Sequence, residues 1–194
     1  MRSSKDKNTM NRLKGSFLLS ALGLILVCGL SAWKVVHTTT RVMTSEALTW
    51  MSVEEASGKL QKEQRPVLID LYTTWCGWCK QMDKKTYSNK QVAQYIQDKF
   101  YPVKVDAETH AAITWNGRTY QFNSNYKSNE FALYLTHGRL EFPTTIIIPP
   151  GGEPQAIPGY MEPKELELLV KYFGEGKYNK VSFDEYQKSF KPTW

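Results

Sequence analysis

Cysteine and histidine are the scarcest chemistry-bearing residues of this 194-residue chain, with three of each. A closed zinc site takes four ligands, and a catalytic one takes three plus water. His37, His110 and His137 are scattered without ligand spacing. Basic charge is just as scarce where it would matter. The net charge of +6 belongs to residues 1–41, which hold seven Lys/Arg and one acid, whereas residues 42–194 hold eighteen of each. No basic face for phosphate follows, and nucleic acid is excluded as an expected partner. Flavin and nicotinamide motifs, internal repeats and low-complexity stretches are missing too.

One long apolar run is present, and it is terminal. Arg2, Lys5, Lys7, Arg12 and Lys14 precede an uncharged stretch from Phe17 to Trp33. At about 1.5 Å per residue this is at the short edge of a bilayer span and longer than a usual signal-peptide core. The positive flank stays in the cytoplasm and places the rest of the chain outside. Residues 1–16 are therefore read as a cytoplasmic segment, 17–36 as a membrane anchor and 37–49 as a polar linker. A signal cleaved near Ser31 or Ala32 is the alternative. Acylation at Cys28 fits poorly, because Val27 is bulky where a small residue is preferred.

The remaining residues read as alternating elements. Ser52 with Glu55 makes a capping box before a helix carrying Val53, Ala56 and Leu60. Val67 to Tyr72 is apolar except for Asp70 and reads as a strand buried on both faces. A helix follows from Cys76 to a break at Ser88-Asn89, then a second with Val92, Tyr95, Ile96 and Lys99 on one side. "FYPVKVDAE" is another strand. Within the less regular residues 107–141, Asn116-Gly117 centres a hairpin and "SNEFALYLTHG" is a short helix with Gly138 after its end. "FPTTIIIPPGGEPQAIPGY" supplies two strands around a Pro-Gly-Gly turn. "EPKELELLVKYFGEG" is a helix with Leu166, Leu169, Val170 and Phe173 inward and Gly174 as its stop. Residues 177–194 form an extension with one more short helix. The order indicates an α/β class, one open sheet covered by helices.

Cys76 and Cys79 sit at the junction between the first strand and the next helix. They read as a redox dithiol, as half of a metal site or as an inert pair. The apolar run holds the third cysteine, so the exported part lacks further thiol ligands for zinc. A staple across two intervening residues closes too small a loop to remove much unfolded-state entropy. Position favours the redox reading. Unpaired N–H groups at a helix start stabilise a Cys76 thiolate, and Cys79, one turn in and more shielded, resolves a mixed disulfide.

"VLIDLYTTWCGWCK" resembles the active-site segment of the thioredoxin superfamily, and Val53 to Phe173 is similar to the C-terminal domain of bacterial transmembrane disulfide reductases and to exported thioredoxin-like proteins of the Bacteroidetes. The resemblance implies a mixed sheet flanked by helices over residues 50–176, with an insert of about 107–141 before a cis-proline strand. It implies Cys76 as nucleophile, Cys79 as resolving cysteine and Asp70 as proton acceptor, whose burial would raise its pKa. Lys104 matches the lysine that pairs with that acid; an exposed strand lysine is the plain alternative. Pro143 matches the family's cis-proline, turning the Phe142 backbone towards an extended substrate, and Gly159 matches a glycine of the same surface. Trp75, Gly77 and Trp78 complete the expected substrate-binding set, and Tyr72 and Tyr87 are read as core.

Two features depart from the family pattern. Gly77-Trp78 stands where ordinary thioredoxins carry Gly-Pro, which leaves the redox potential open. The insert is about twenty residues longer than in a minimal thioredoxin, and its Trp115, Tyr120, Phe122, Tyr126, Phe131 and Tyr134 read as an extra packed layer before a partner-binding surface. The expected function is a thiol–disulfide oxidoreductase on the periplasmic side of the inner membrane. It would reduce exported disulfide proteins, draw electrons from a membrane-embedded donor and use no cofactor beyond its cysteine pair. A disulfide oxidase or isomerase and a non-catalytic binding module are the alternatives.

Overall fold

The computed structural model describes residues 47–194. The expected anchor, the segment before it and most of the linker, with Cys28 and His37, lie outside the described residues. Among the described residues no helix is long and apolar enough to cross a membrane.

The elements run α1 Val53–Leu60, β1 Val67–Tyr72, α2 Gly77–Met82, α3 Lys90–Lys99 and β2 Tyr101–Asp106, then β3 Ile113–Trp115, β4 Arg118–Tyr120, β5 Phe122–Asn123, β6 Ser128–Asn129 and α4 Glu130–Leu135. They end with β7 Thr144–Ile148, β8 Gln155–Pro158, α5 Pro163–Gly174 and α6 Phe183–Ser189. The main sheet has the order β2-β1-β7-β8, with β1 and β2 parallel and the other pairs antiparallel. This mixed sheet between helices is the thioredoxin-like architecture expected from the sequence.

Side chains alternate across a strand, and β1 divides the core accordingly. Val67, Ile69 and Leu71 join Val103, Val105, Ile146 and Ile148 in the cluster under α1. Leu68 joins Ile147 in the cluster formed by Met82, Val92, Ile96 and Phe100 with Leu166, Leu169 and Val170 of α5. Period two therefore sends Asp70 to the face covered by α2, α3 and α5. The strand is buried on both faces because helices cover both.

The insert is a packed layer. Ile113, Trp115, Tyr120, Phe131 and Leu135 belong to the α1-side core, each worth roughly 1.5–3 kcal/mol of burial. Asn116 and Gly117 turn the β3–β4 hairpin at φ of 50° and 76°, the left-handed pair a two-residue turn requires. The two-residue strands β5 and β6 were not anticipated. Tyr126 stands out at 61% exposure.

One local expectation changes and another is refined. The helix after Cys76 does not run uniformly to Ser88, since Asp83–Tyr87 forms a π-helical turn. The helix α5 ends at Gly174 as expected, but the left-handed turn after it falls on Gly176, at φ 65°. Gly174 also permits close approach, because a Cβ there would meet Tyr95 and Phe100 at 3.0–3.2 Å. The C-terminal extension folds back on α5, where Glu167 accepts hydrogen bonds from the Thr193 and Trp194 N–H groups at 2.8 and 3.0 Å.

Candidate functional site

The apolar run of β1 ends in the turn Thr73-Thr74-Trp75, and Cys76 caps α2: its Sγ accepts from the Cys79 N–H at 3.0 Å. The two cysteines are joined as a disulfide. They are equally buried, at 4% and 3% exposure, so the expected greater shielding of Cys79 is absent in this disulfide form. The bond holds the Cys76 sulfur against the first helical turn. Position still separates the pair, since Cys76 precedes the helix and Cys79 lies inside it.

Two loops flank the disulfide. The Phe142–Pro143 peptide bond is cis, and the Pro143 carbonyl accepts from the Gly159 N–H at 2.8 Å. Gly159 has φ 104°, a conformation L side chains rarely adopt. Trp75 meets Phe142 edge-on at 5.9 Å between ring centroids, and Trp78 meets Tyr160 at 5.4 Å. Each tryptophan thus ties the cysteine segment to one loop, while staying 64% and 63% exposed. The Trp75 indole N–H also donates to the Glu108 carboxylate at 3.0 Å. A Cβ at Gly77 would meet nothing within 4 Å, leaving the centre of the loop open to an approaching chain.

A charged cluster forms around Asp70. Asp70 is opposite Lys104 on β2 and Thr145 on β7. The Lys104 ammonium is 3.0 Å from Asp70 Oδ2 and also pairs with Asp83; it lies over the rings of Tyr72 and Trp50 at 5.0 and 5.4 Å. Lys104 is therefore paired with Asp70, not a free strand lysine. Burial pushes the Asp70 carboxyl up to about 6, against the pull of Lys104 and with a smaller push from Asp83. Asp70 Oδ1 has no hydrogen-bond partner among the described residues. Burial opposes the Lys104 charge, but Asp70 and Asp83 outweigh it and raise its pKa. Tyr87 is buried here with its hydroxyl 3.3 Å from that of Thr145, and burial and Asp70 raise its pKa well above the usual value.

The structure thus brings together Cys76, Cys79, Trp75, Gly77, Trp78, Phe142, Pro143 and Gly159, and separately pairs Asp70 with Lys104 on the adjacent strands β1 and β2. Sequence reasoning missed Asp83, Glu108 and Tyr160. Asp83 opens the π turn after α2 and meets Lys104 of β2, a contact that no spacing in the sequence signals. No group of three or more His, Cys, Asp or Glu suited to a metal occurs among the described residues. Chemically, the cysteine pair can make and break one disulfide, and burial holds the Asp70 carboxyl at about 6.

The thioredoxin-like domain family matches residues 53–174. The chain is 39% identical over 54 residues to the chloroplastic thioredoxin Y of Oryza sativa subsp. japonica, covering 28% of this chain and 30% of that protein. It is 33% identical over 90 residues to the thiol:disulfide interchange protein DsbD of Citrobacter koseri, covering 42% of this chain and 15% of that protein. The chain thus spans less than a third of the length of either relative. Among solved structures, the DsbH oxidoreductase superposes with a TM-score of 0.51 at 17% identity, over 70% of this chain and 90% of that one, a likeness of fold. With its family match running from α1 to the end of α5, the chain belongs to the thioredoxin-like domain family.

Proposed function

We propose that this protein is a thiol–disulfide oxidoreductase of the cell envelope that reduces protein disulfides through Cys76 and Cys79. The observation that carries the proposal is the Cys76–Cys79 disulfide at the strand-to-helix junction, in a segment that follows a buried, half-satisfied Asp70 on β1. In the reduced protein the Cys76 thiolate attacks a client disulfide. A Cys76–client S–S bond forms, the client bond breaks, and one client thiolate leaves. Cys79 then loses its proton to Asp70 and attacks the Cys76 sulfur. The Cys76–Cys79 bond closes and the second client thiolate departs, so two electrons pass to the client. Lys104 stabilises the charge on Asp70 as it exchanges the proton.

Regeneration needs a dithiol donor. A membrane-embedded one suits a chain tethered in the inner membrane by residues 17–36 with its domain in the periplasm, and exported disulfide proteins are then the clients. The basic flank before that apolar run supports this topology, and the similarity to the thiol:disulfide interchange protein DsbD supports the exchange chemistry. The cysteine pair is the only redox group invoked.

A Cys79→Ser variant tests the reading, because it should trap mixed disulfides through Cys76 with exported proteins. The reduced wild type should also reduce insulin. Failure of both results removes the catalytic reading. A reduction potential near about −270 mV fits a reductase, whereas one near about −120 mV moves the assignment to an oxidase.

A further inference from the structure

Next to the cysteine loop, on its Trp78 side, runs an open groove of about 710 Å³ lined by Gly77, Trp78, Gln81, Lys85, Tyr160 and Glu162. Trp78, Gln81 and Lys85 follow at spacings of three and four along one face of α2 and the π turn. Tyr160 forms the opposite wall, with its ring 5.4 Å from that of Trp78. The groove opens at Gly77, inside the cysteine loop, so a chain reacting at Cys76 must run along it or away from it. Its volume lies within the range of sites that enclose several side-chain-sized groups.

The two ends of the groove differ in kind. Near the dithiol it offers exposed aromatic surface, with Trp78 at 63% exposure. The groove also carries one anion, beside Tyr160, and one cation, further along the helical face. Glu162 is already engaged, since its carboxylate accepts the Tyr160 hydroxyl at 2.9 Å. Lys85 is exposed and makes no ion pair or hydrogen bond among the described residues. The helical face therefore carries an aromatic ring beside the disulfide and, about two turns further on, an ammonium with no direct ion pair.

We propose that this groove selects the clients of the dithiol. It would take an extended segment whose apolar or aromatic residue beside the reacting cysteine packs on Trp78 and Tyr160, and whose carboxylate further along meets Lys85. The inference rests on the oxidoreductase reading and adds a substrate preference to it. Trp78 and Lys85 become specificity-determining residues that act on client binding. The aromatic contact is worth up to about tenfold, and the exposed charge contact about two- to fivefold.

The test uses the reduced full chain and four synthetic peptide disulfides. They carry Phe or Ala beside the cysteine and Asp or Lys three residues beyond it. The wild type should react fastest with the Phe/Asp peptide, with the preference expressed in KM. Lys85→Glu should invert the Asp-over-Lys ratio, and Trp78→Ala should collapse the Phe-over-Ala ratio. Equal rates on all four peptides, or ratios untouched by both substitutions, overturn the groove while leaving the oxidoreductase in place. No exchange with any peptide or with insulin overturns both.

Discussion

Two carboxylates are buried among the described residues, Asp70 and Glu167, and each faces a lysine. Their surroundings then diverge. Glu167 accepts from the Lys171 ammonium at 2.6 Å, from the Thr193 hydroxyl, and from the backbone N–H groups of Thr193 and Trp194. Burial pushes its pKa up, but those donors outweigh burial and hold it below the usual value. Asp70 has Lys104 on one oxygen and nothing on the other, and burial wins. The balance between burial and the donors that oppose it decides whether such an acid stays charged. The satisfied carboxylate anchors a chain segment, and the half-satisfied one is left with a raised pKa.

The largest effect should come from breaking the satisfied site. Glu167→Gln leaves the Lys171 ammonium without its counter-ion and loosens the fold-back of residues 193–194. A loss of about 3–5 kcal/mol is expected for splitting a buried pair, read as a fall in the urea midpoint with insulin reduction retained. An unchanged midpoint would mean that the clamp contributes no stability. The pH sign follows from the lowered pKa. The Glu167 contribution is present above the ordinary carboxylate value of 4.5 and is lost as pH falls through the folded value.

Asp70→Asn should act with the opposite sign. A carboxyl raised from 3.8 to about 6 by burial costs stability above pH 6 and nothing once both folded and unfolded forms are protonated. At about 1.4 kcal/mol per pKa unit the cost reaches up to about 3 kcal/mol. The variant should therefore be more stable than the wild type at pH 8, with the gap closing as pH falls from 6 to below 4. It should also release clients more slowly, because Cys79 loses its proton acceptor. A gap of constant size across this range would show that Asp70 does not titrate there.

The same contrast explains what the sequence made legible. Cys76, Cys79, Asp70 and Pro143 stand in order within elements whose periodicity is strong, so the resemblance located them. The β1 run and the Asn116-Gly117 turn are local signals that need no tertiary information. Glu167 was not legible as buried, because its burial comes from residues 193–194 folding back across α5, 26 residues or more along the chain. Asp83 was missed for a related reason. It reaches Lys104 from a π turn that helical spacing does not announce. Gly174 ends α5 as the sequence indicates, but its close approach to Tyr95 and Phe100 is something that only packing shows.

Asp83→Asn is the mildest change and the sharpest probe of the comparison. Asp83 is 43% exposed on its side chain and shares Lys104 with Asp70. Water already screens it, so the stability change should stay within about 1 kcal/mol. Its effect on Asp70 has a defined direction. The Asp83 charge raises the Asp70 pKa, so removing it lowers that pKa as long as Lys104 keeps its place against Asp70. Carbon-detected NMR titration of the Asp70 carboxyl should show a midpoint below the wild-type value of about 6, and client release should change with pH in the same direction. A midpoint that rises instead would mean that Asp83 works by holding the Lys104 ammonium against Asp70. The half-satisfied site would then depend on a third residue for the one donor it has.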